Sequence, residues 1–219
     1  MHGVALAADC AGALYWPDES LLVVADLHLE KGSSFARRGM LLPPYDTAET
    51  LARLTQLILR YAPRRVIALG DSFHDNEGHA RLVSADRASL VALQRGRDWV
   101  WIAGNHDPDP HGVGGTFADV VTVGALTFRH EPSRHARKGE IAGHLHPAAR
   151  IVQRGRAVSR RCFATDGKSL VMPAFGAFTG GLNIRDRAFT SVFGARQFTA
   201  HMLGDRRVYA FSSSRCLPG

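Results

Sequence analysis

Residues 99–110 read WVWIAGNHDPDP: an apolar run from Trp99 to Ala103 that stops at Gly104 and continues as Asn105, His106 and Asp107. A single polar residue at a strand end is a cap. An amide, an imidazole and a carboxylate in a row, behind a glycine that lets the backbone turn sharply, are groups presented to something. The same pattern recurs upstream. LLVVADLH (21–28) is an apolar run, a strand from about Leu21 to Ala25, that breaks into Asp26-Leu27-His28. RRVIALGDS (64–72) breaks into Gly70-Asp71.

Between these runs the hydrophobic period changes to that of a helix. In DTAETLARLTQLILRYAP (46–63), Leu51, Leu54, Leu57 and Ile58 share one stripe, Asp46 or Thr47 can cap the start and Pro63 closes the end. SADRASLVALQRG (84–96) reads as a second capped amphipathic helix, ending at Gly96. Three strand–loop–helix units in series predict a mainly parallel sheet with crossover helices, whose ligands gather at the carboxyl ends of the strands. After Pro110 the texture turns β-rich. FADVVTVGALTFRHEP (117–132) predicts a hairpin at Gly124, and further short strands with glycine-containing turns follow, giving an antiparallel second half. No linker separates the halves. The expected fold is α/β, two packed mixed β-sheets flanked by helices, in a single domain over residues 1–219.

Composition bounds the partners. The chain has 219 residues, 45% hydrophobic and 21% charged, enough for a sizeable core. No stretch approaches the roughly 20 apolar residues of a membrane span. Cys10, Cys162 and Cys216 are scattered and form no CxxC pair, and the first twenty residues have no basic segment before an apolar one. A reducing cytoplasm is therefore the expected location. The net charge of +7 suits a polyanionic partner. Only Lys31, Lys138 and Lys168 are lysines, so the excess is mostly arginine, a bias that genome composition produces equally well.

Eight polar residues collect at the predicted strand ends: Asp26, His28, Asp71, Asn105, His106, His130, His144 and His146. Imidazoles, carboxylates and an amide without a thiolate suit Mn²⁺, Fe²⁺ or Zn²⁺. Eight donors exceed the needs of one ion, whereas two ions about 3.5–4 Å apart that share a carboxylate would use them. In extended backbone, residues i and i+2 point the same way, so Asp26 with His28, and His144 with His146, can each face one site. Each piece alone has an ordinary reading as a turn, a cap or a surface pair. Their conjunction at the ends of successive apolar runs is what singles them out.

In the order DLH, GD, GNHD, H and GHLH, these motifs resemble the signature of the calcineurin-like metallophosphoesterases over residues 26–146. The resemblance implies a four-layer α/β sandwich with two metal ions. It implies Asp26, His28 and His146 on the first ion, Asp71 bridging, and Asn105, His130 and His144 on the second. His106 would stand beside the scissile phosphate, oriented by Asp107. A hydroxide bridging two cations is a competent nucleophile near neutral pH, so hydrolysis of a phosphoester follows. One departure is His74, followed by Asp75, where the wider superfamily carries an aspartate; His74 can contact substrate or a residue that supports the metal ligands.

ADLHLEKGSSFARRGMLLPPYDT, LGDSFHD, HEP, GHLHP and PAFGAFTGGL look like the bacterial ligase-associated DNA damage response endonucleases. That narrower resemblance implies an endonuclease or phosphodiesterase of DNA repair, working near a bacterial DNA ligase and its partners; Mn²⁺ is the first expectation for its two ions, with Fe²⁺ or Zn²⁺ as alternatives. Small-molecule phosphodiesters or phosphomonoesters of nucleotides are the alternative substrates. Arg37 and Arg38 after the first ligand pair, and Arg134 between two motifs, are candidate substrate contacts, although the first two suit a solvated helix face as well. ARIVQRGRAVSRR (149–161) alternates arginine with apolar residues, as on a charged sheet face.

Overall fold

The computed structural model describes residues 1 and 3–219. The first sheet runs β1 (Ala7–Ala8), β2 (Leu14–Trp16), β3 (Leu21–Val24), β4 (Arg65–Ala68), β5 (Asp98–Ile102) and β6 (Thr116–Ala118), in that spatial order. β1 to β3 are antiparallel and β3 to β6 parallel. Helices α1 (Lys31–Ala36) and α2 (Asp46–Tyr61) link β3 to β4; α3 (Gly78–Arg81) and α4 (Ser84–Gln94) link β4 to β5.

The apolar runs are continuous because both faces of this sheet are covered. Leu22, Val24, Val66, Ala68, Trp99 and Trp101 face the helices. Their neighbours Leu21, Val23, Ile67, Val100 and Ile102 face the second sheet. The α2 stripe of Leu51, Leu54, Leu57 and Ile58 is buried as its spacing predicts. Each such side chain contributes on the order of 1.5–3 kcal/mol of transfer free energy.

The second sheet holds β7 (Val120–Val123), β8 (Leu126–Arg129), β9 (Glu140–Ala142), β10 (Pro147–Gln153), β11 (Arg156–Thr165), β12 (Leu170–Val171) and β13 (Leu182–Asn183). Their spatial order is β13-β10-β11-β12-β9-β8-β7, and β11 also pairs with β14 (Thr199–Leu203), which pairs with β15 (Val208–Ser212). Helix α5 (Arg187–Phe193) covers the outer face with Phe189, Val192 and Phe193. Helix, sheet, sheet and helix make the four layers of an α/β sandwich.

Local expectations give way at several points. Neither helix is capped by the predicted side chain: Asp46 and Thr47 instead accept the Gly32 and Glu30 N–H groups of the preceding loop. Ser84 likewise makes no cap bond. The third strand–loop unit carries no helix, because Pro108, Pro110 and four glycines lead directly from β5 into β6. The second half is mixed rather than antiparallel. The predicted hairpin of β7 and β8 forms, but β9 lies parallel to both β8 and β12.

Candidate metal centre

The polar ends of β3, β4, β5, β8 and β9 meet in one place. Loops 25–30 and 69–74 continue the β3–β4 ladder: His28 N–H donates to Asp71 O at 2.9 Å, and Leu29 N–H to Ser72 O at 2.9 Å. The backbone is contorted here. Asp26, His28, Asp71, His144 and His146 all have left-handed φ, between 45° and 67°. They are half of the ten non-glycine residues so placed among the described residues. Such strain, of order 1 kcal/mol or more per residue, concentrates where the surroundings over-determine it, typically at functional sites. The paired residues Asp26 and His28, and His144 and His146, do converge, by alternating left-handed residues rather than by the expected extended backbone. Leu27 between the first pair is buried in the core.

Two donor groups result. In one, atoms of Asp26, His28 and His146 lie within 4.8 Å of one another; in the other, those of Asp71, His130 and His144 do. His146 Nε2 is 3.3 Å from Asp26 Oδ1 and 3.4 Å from His28 Nε2. In the second group, His130 Nε2 is 2.9 Å from Asn105 Oδ1 and 3.2 Å from His144 Nδ1. Asp71 faces both groups, with Oδ1 3.4 Å from His130 Nε2 and Oδ2 3.8 Å from His28 Nε2. His28 also belongs to a third trio with His74 and His106.

The donors are pre-oriented. His130 Nδ1 faces Leu69 O at 2.8 Å, where it serves as donor, so that Nε2 turns to the centre. Asp26 accepts the His144 N–H on both oxygens at 3.1 Å. A carbon added at Gly143 would stand 2.6 Å from Asp26 Oδ2, so the glycine of GHLH lets β9 close on that carboxylate.

The electrostatics call for a cation. Asp26 and Asp71 are 0% and 2% exposed. Burial opposes a charge on His130, yet hydrogen bonding to Asp71 and the charges of Asp26 and Asp71 outweigh it and raise its pKa to about 9. Burial drives the opposite result at His28, lowered to about 3, so the ring stays neutral and one of its nitrogens is free to act as a ligand. Buried carboxylates that recruit a proton onto a neighbouring imidazole, beside neutral imidazoles, form a donor set that fits divalent metal.

The remaining predicted residues divide. His106 is half-exposed at the rim, its N–H donating to Asp71 Oδ1 at 2.9 Å, its Nδ1 2.9 Å from His74 O and its Nε2 4.0 Å from Asp71 Oδ2. Asp107 does not orient it. Asp107 is buried, accepts the Phe73 N–H at 3.0 Å, and has its carboxyl pushed up to about 7 by burial. The ring of His106 is held instead by the His74 carbonyl.

His74 stacks on His106 at 5.2 Å, and burial, then the charge of Lys31, lower its pKa to about 4; Arg38 adds to the same field. Arg37 is paired with Glu77. Arg134 is exposed on the loop after β8. Among the described residues, no hydrogen bond or ion pair joins Arg37, Arg38 or Arg134 to the donor groups. Sequence reasoning passed over Arg129 and Glu131, which flank His130 and line, with Asn105 and Asp119, a depression of about 240 Å³. Their adjacency to a candidate ligand was the available signal.

Residues 20–169 match the calcineurin-like phosphoesterase family. Among solved structures, a Pseudomonas putida nuclease, MPE, is 29% identical, with a TM-score of 0.71 over 94% of this chain and 96% of that one. YfcE, a phosphoesterase from E. coli, is 11% identical, with a TM-score of 0.41 over 87% of this chain and 97% of that one. No curated protein matches the sequence. Among the described residues, no helix is long and apolar enough to cross a membrane.

Proposed function

This chain belongs to the calcineurin-like phosphoesterases, which makes it a metal-dependent phosphoesterase, and from that premise we propose that its single domain cleaves phosphodiester bonds of DNA. The observation that carries the two-metal form of this reading is Asp71, one buried carboxylate with an oxygen toward each donor group. Asp26, His28 and His146 would hold one ion and Asn105, His130 and His144 the other, with Asp71 shared. The donor set suits Mn²⁺ foremost, with Fe²⁺ and Zn²⁺ as alternatives. Such ions would supply a water acidified to hydroxide near neutral pH and positive charge against the phosphate oxygens.

The chain's own side chains account for the rest. Because its Nδ1 donates to His74 O, a protonated His106 has Nε2–H free to give to the leaving alkoxide. His74, with the charges of Lys31 and Arg38 behind it, would meet phosphate oxygens at the rim. Arg37 can do so only by exchanging Glu77, and Arg134 would contribute from the opposite loop. DNA, rather than a nucleotide, is favoured by the nuclease neighbour and by the +7 charge. DNA repair beside a ligase, in the cytoplasm, is the setting in which we place it.

His106→Ala is expected to slow turnover by about 10²–10⁴-fold while two metal ions per chain are retained. Metal analysis beside kinetics checks this, and loss of metal would reassign His106 as a ligand. Labelled single-stranded, nicked and duplex DNA incubated with Mn²⁺ tests the substrate. Cleavage is expected, together with preference for bis-p-nitrophenyl phosphate over the monoester. Inert DNA with hydrolysed small esters would favour the nucleotide reading.

A further inference from the structure

The arginine-rich stretch at 149–161 is a sheet face only at its base. Residues 149–153 of β10 and 156–160 of β11 have no strand partner but each other, since β13 reaches only Pro147 and Ala148, and β14 only Cys162 to Thr165; Leu217 N–H alone adds a bond from outside, to Arg150 O at 2.7 Å. Ala149 and Ile151 are still buried in the core, and beyond them the two strands continue as an exposed ribbon from Val152 to Ala157. Its base is tied to the metal centre: β10 starts directly after His146. Arg161, opposite Ala148, donates to Ala174 O and Gly176 O, and Gly176 N–H donates to Asp26 O. Six residues of strand, roughly 20 Å, separate that base from the tip.

Arg154, Arg156 and Arg160 are all exposed, and among the described residues none makes an ion pair. Asp205 is the one acidic residue lining the clefts beside Arg160, and exposed Arg206 and Arg207 follow it. The tip is itself unusual. Gln153 pairs with Arg156, so Arg154 and Gly155 form a two-residue turn with φ of 49° and 75°. Asn, Asp or Gly suits the first of these positions, and another side chain there costs about 1–2 kcal/mol. Among the described residues, Arg154 has no side-chain hydrogen bond or ion pair to offset that cost.

We propose that this ribbon is a track for the sugar–phosphate backbone of the DNA strand, along which the segment beside the cleaved bond is held; the inference rests on the DNA reading above. Unpaired guanidinium groups on a narrow arm bind phosphates without reading bases, so the track is sequence-independent.

The test is binding of a labelled single-stranded oligonucleotide in EDTA, which keeps the strand intact, over a range of salt. For the triple variant Arg154→Gln, Arg156→Gln, Arg160→Gln, the slope of log affinity against log salt is expected to become shallower by about 2. Hydrolysis of bis-p-nitrophenyl phosphate should stay at the wild-type rate. The matching triple lysine variant should bind like wild type, because the track needs charge rather than a forked donor. An unchanged slope in the glutamine variant, or lost binding in the lysine variant, would overturn the proposal. A wild-type chain that binds no DNA would remove the DNA reading itself, and the track with it.

Discussion

Asp71→Asn is expected to lower phosphodiesterase activity by at least about 10³-fold, since the several kcal/mol that two metal ions contribute depend on this residue. The amide keeps the size and one carbonyl oxygen, so the 2.9 Å bond from His106 N–H can persist and the fold is retained. What is lost is the charge, and with it the second oxygen that faces the other donor group. In the metal-free protein the same change removes the main partner that raises the His130 pKa. Kinetics on bis-p-nitrophenyl phosphate and metal analysis check the prediction. A variant with full activity and two ions per chain would show that Asp71 is not the shared ligand.

Gly104→Ala should damage both fold and site. A carbon there would stand 2.1 Å from Asp71 N, 2.3 Å from Asp71 Oδ1 and 2.6 Å from Asp107 Oδ1. The nearest atom is backbone, so no rotamer change relieves the overlap; the loops holding Asn105 and Asp71 must separate. Overpacking of this kind costs about 3 kcal/mol or more, which for a chain of this size lowers Tm by roughly 6–12 °C. Gly180→Ala is the control, since a carbon added there meets nothing within 4 Å. Thermal melts of the two variants give the comparison. Equal stability would mean that β4 and β5 do not approach through Gly104 as described.

The parts legible in the sequence were those governed by short-range pattern. Apolar runs ending in polar clusters located β3, β4 and β5, and the 3.6-residue stripe located α2, because burial on two faces or one leaves a direct trace in residue type. The donors were legible for a different reason: Asp26, Asp71 and His144 follow glycines or runs that have no other use for them. What escaped were choices made by tertiary context. Asp46 and Thr47 are good cap residues, but the nearby loop at Glu30 and Gly32 offered them other partners. Asp107 looked like the partner of its neighbour His106, yet its side chain turns inward to Phe73 N–H, and a carbonyl 32 residues upstream holds the imidazole. Alternation at 149–161 indicated strands but not that they leave the sheet, since pairing partners are not written in either strand.

The most direct measurement is the anomalous scattering of crystals grown with Mn²⁺. Two peaks about 3.5–4 Å apart are predicted, one against Asp26, His28 and His146, the other against Asn105, His130 and His144, with Asp71 between them. A lone peak held by His28, His74 and His106, or none at all, would contradict the two-metal centre.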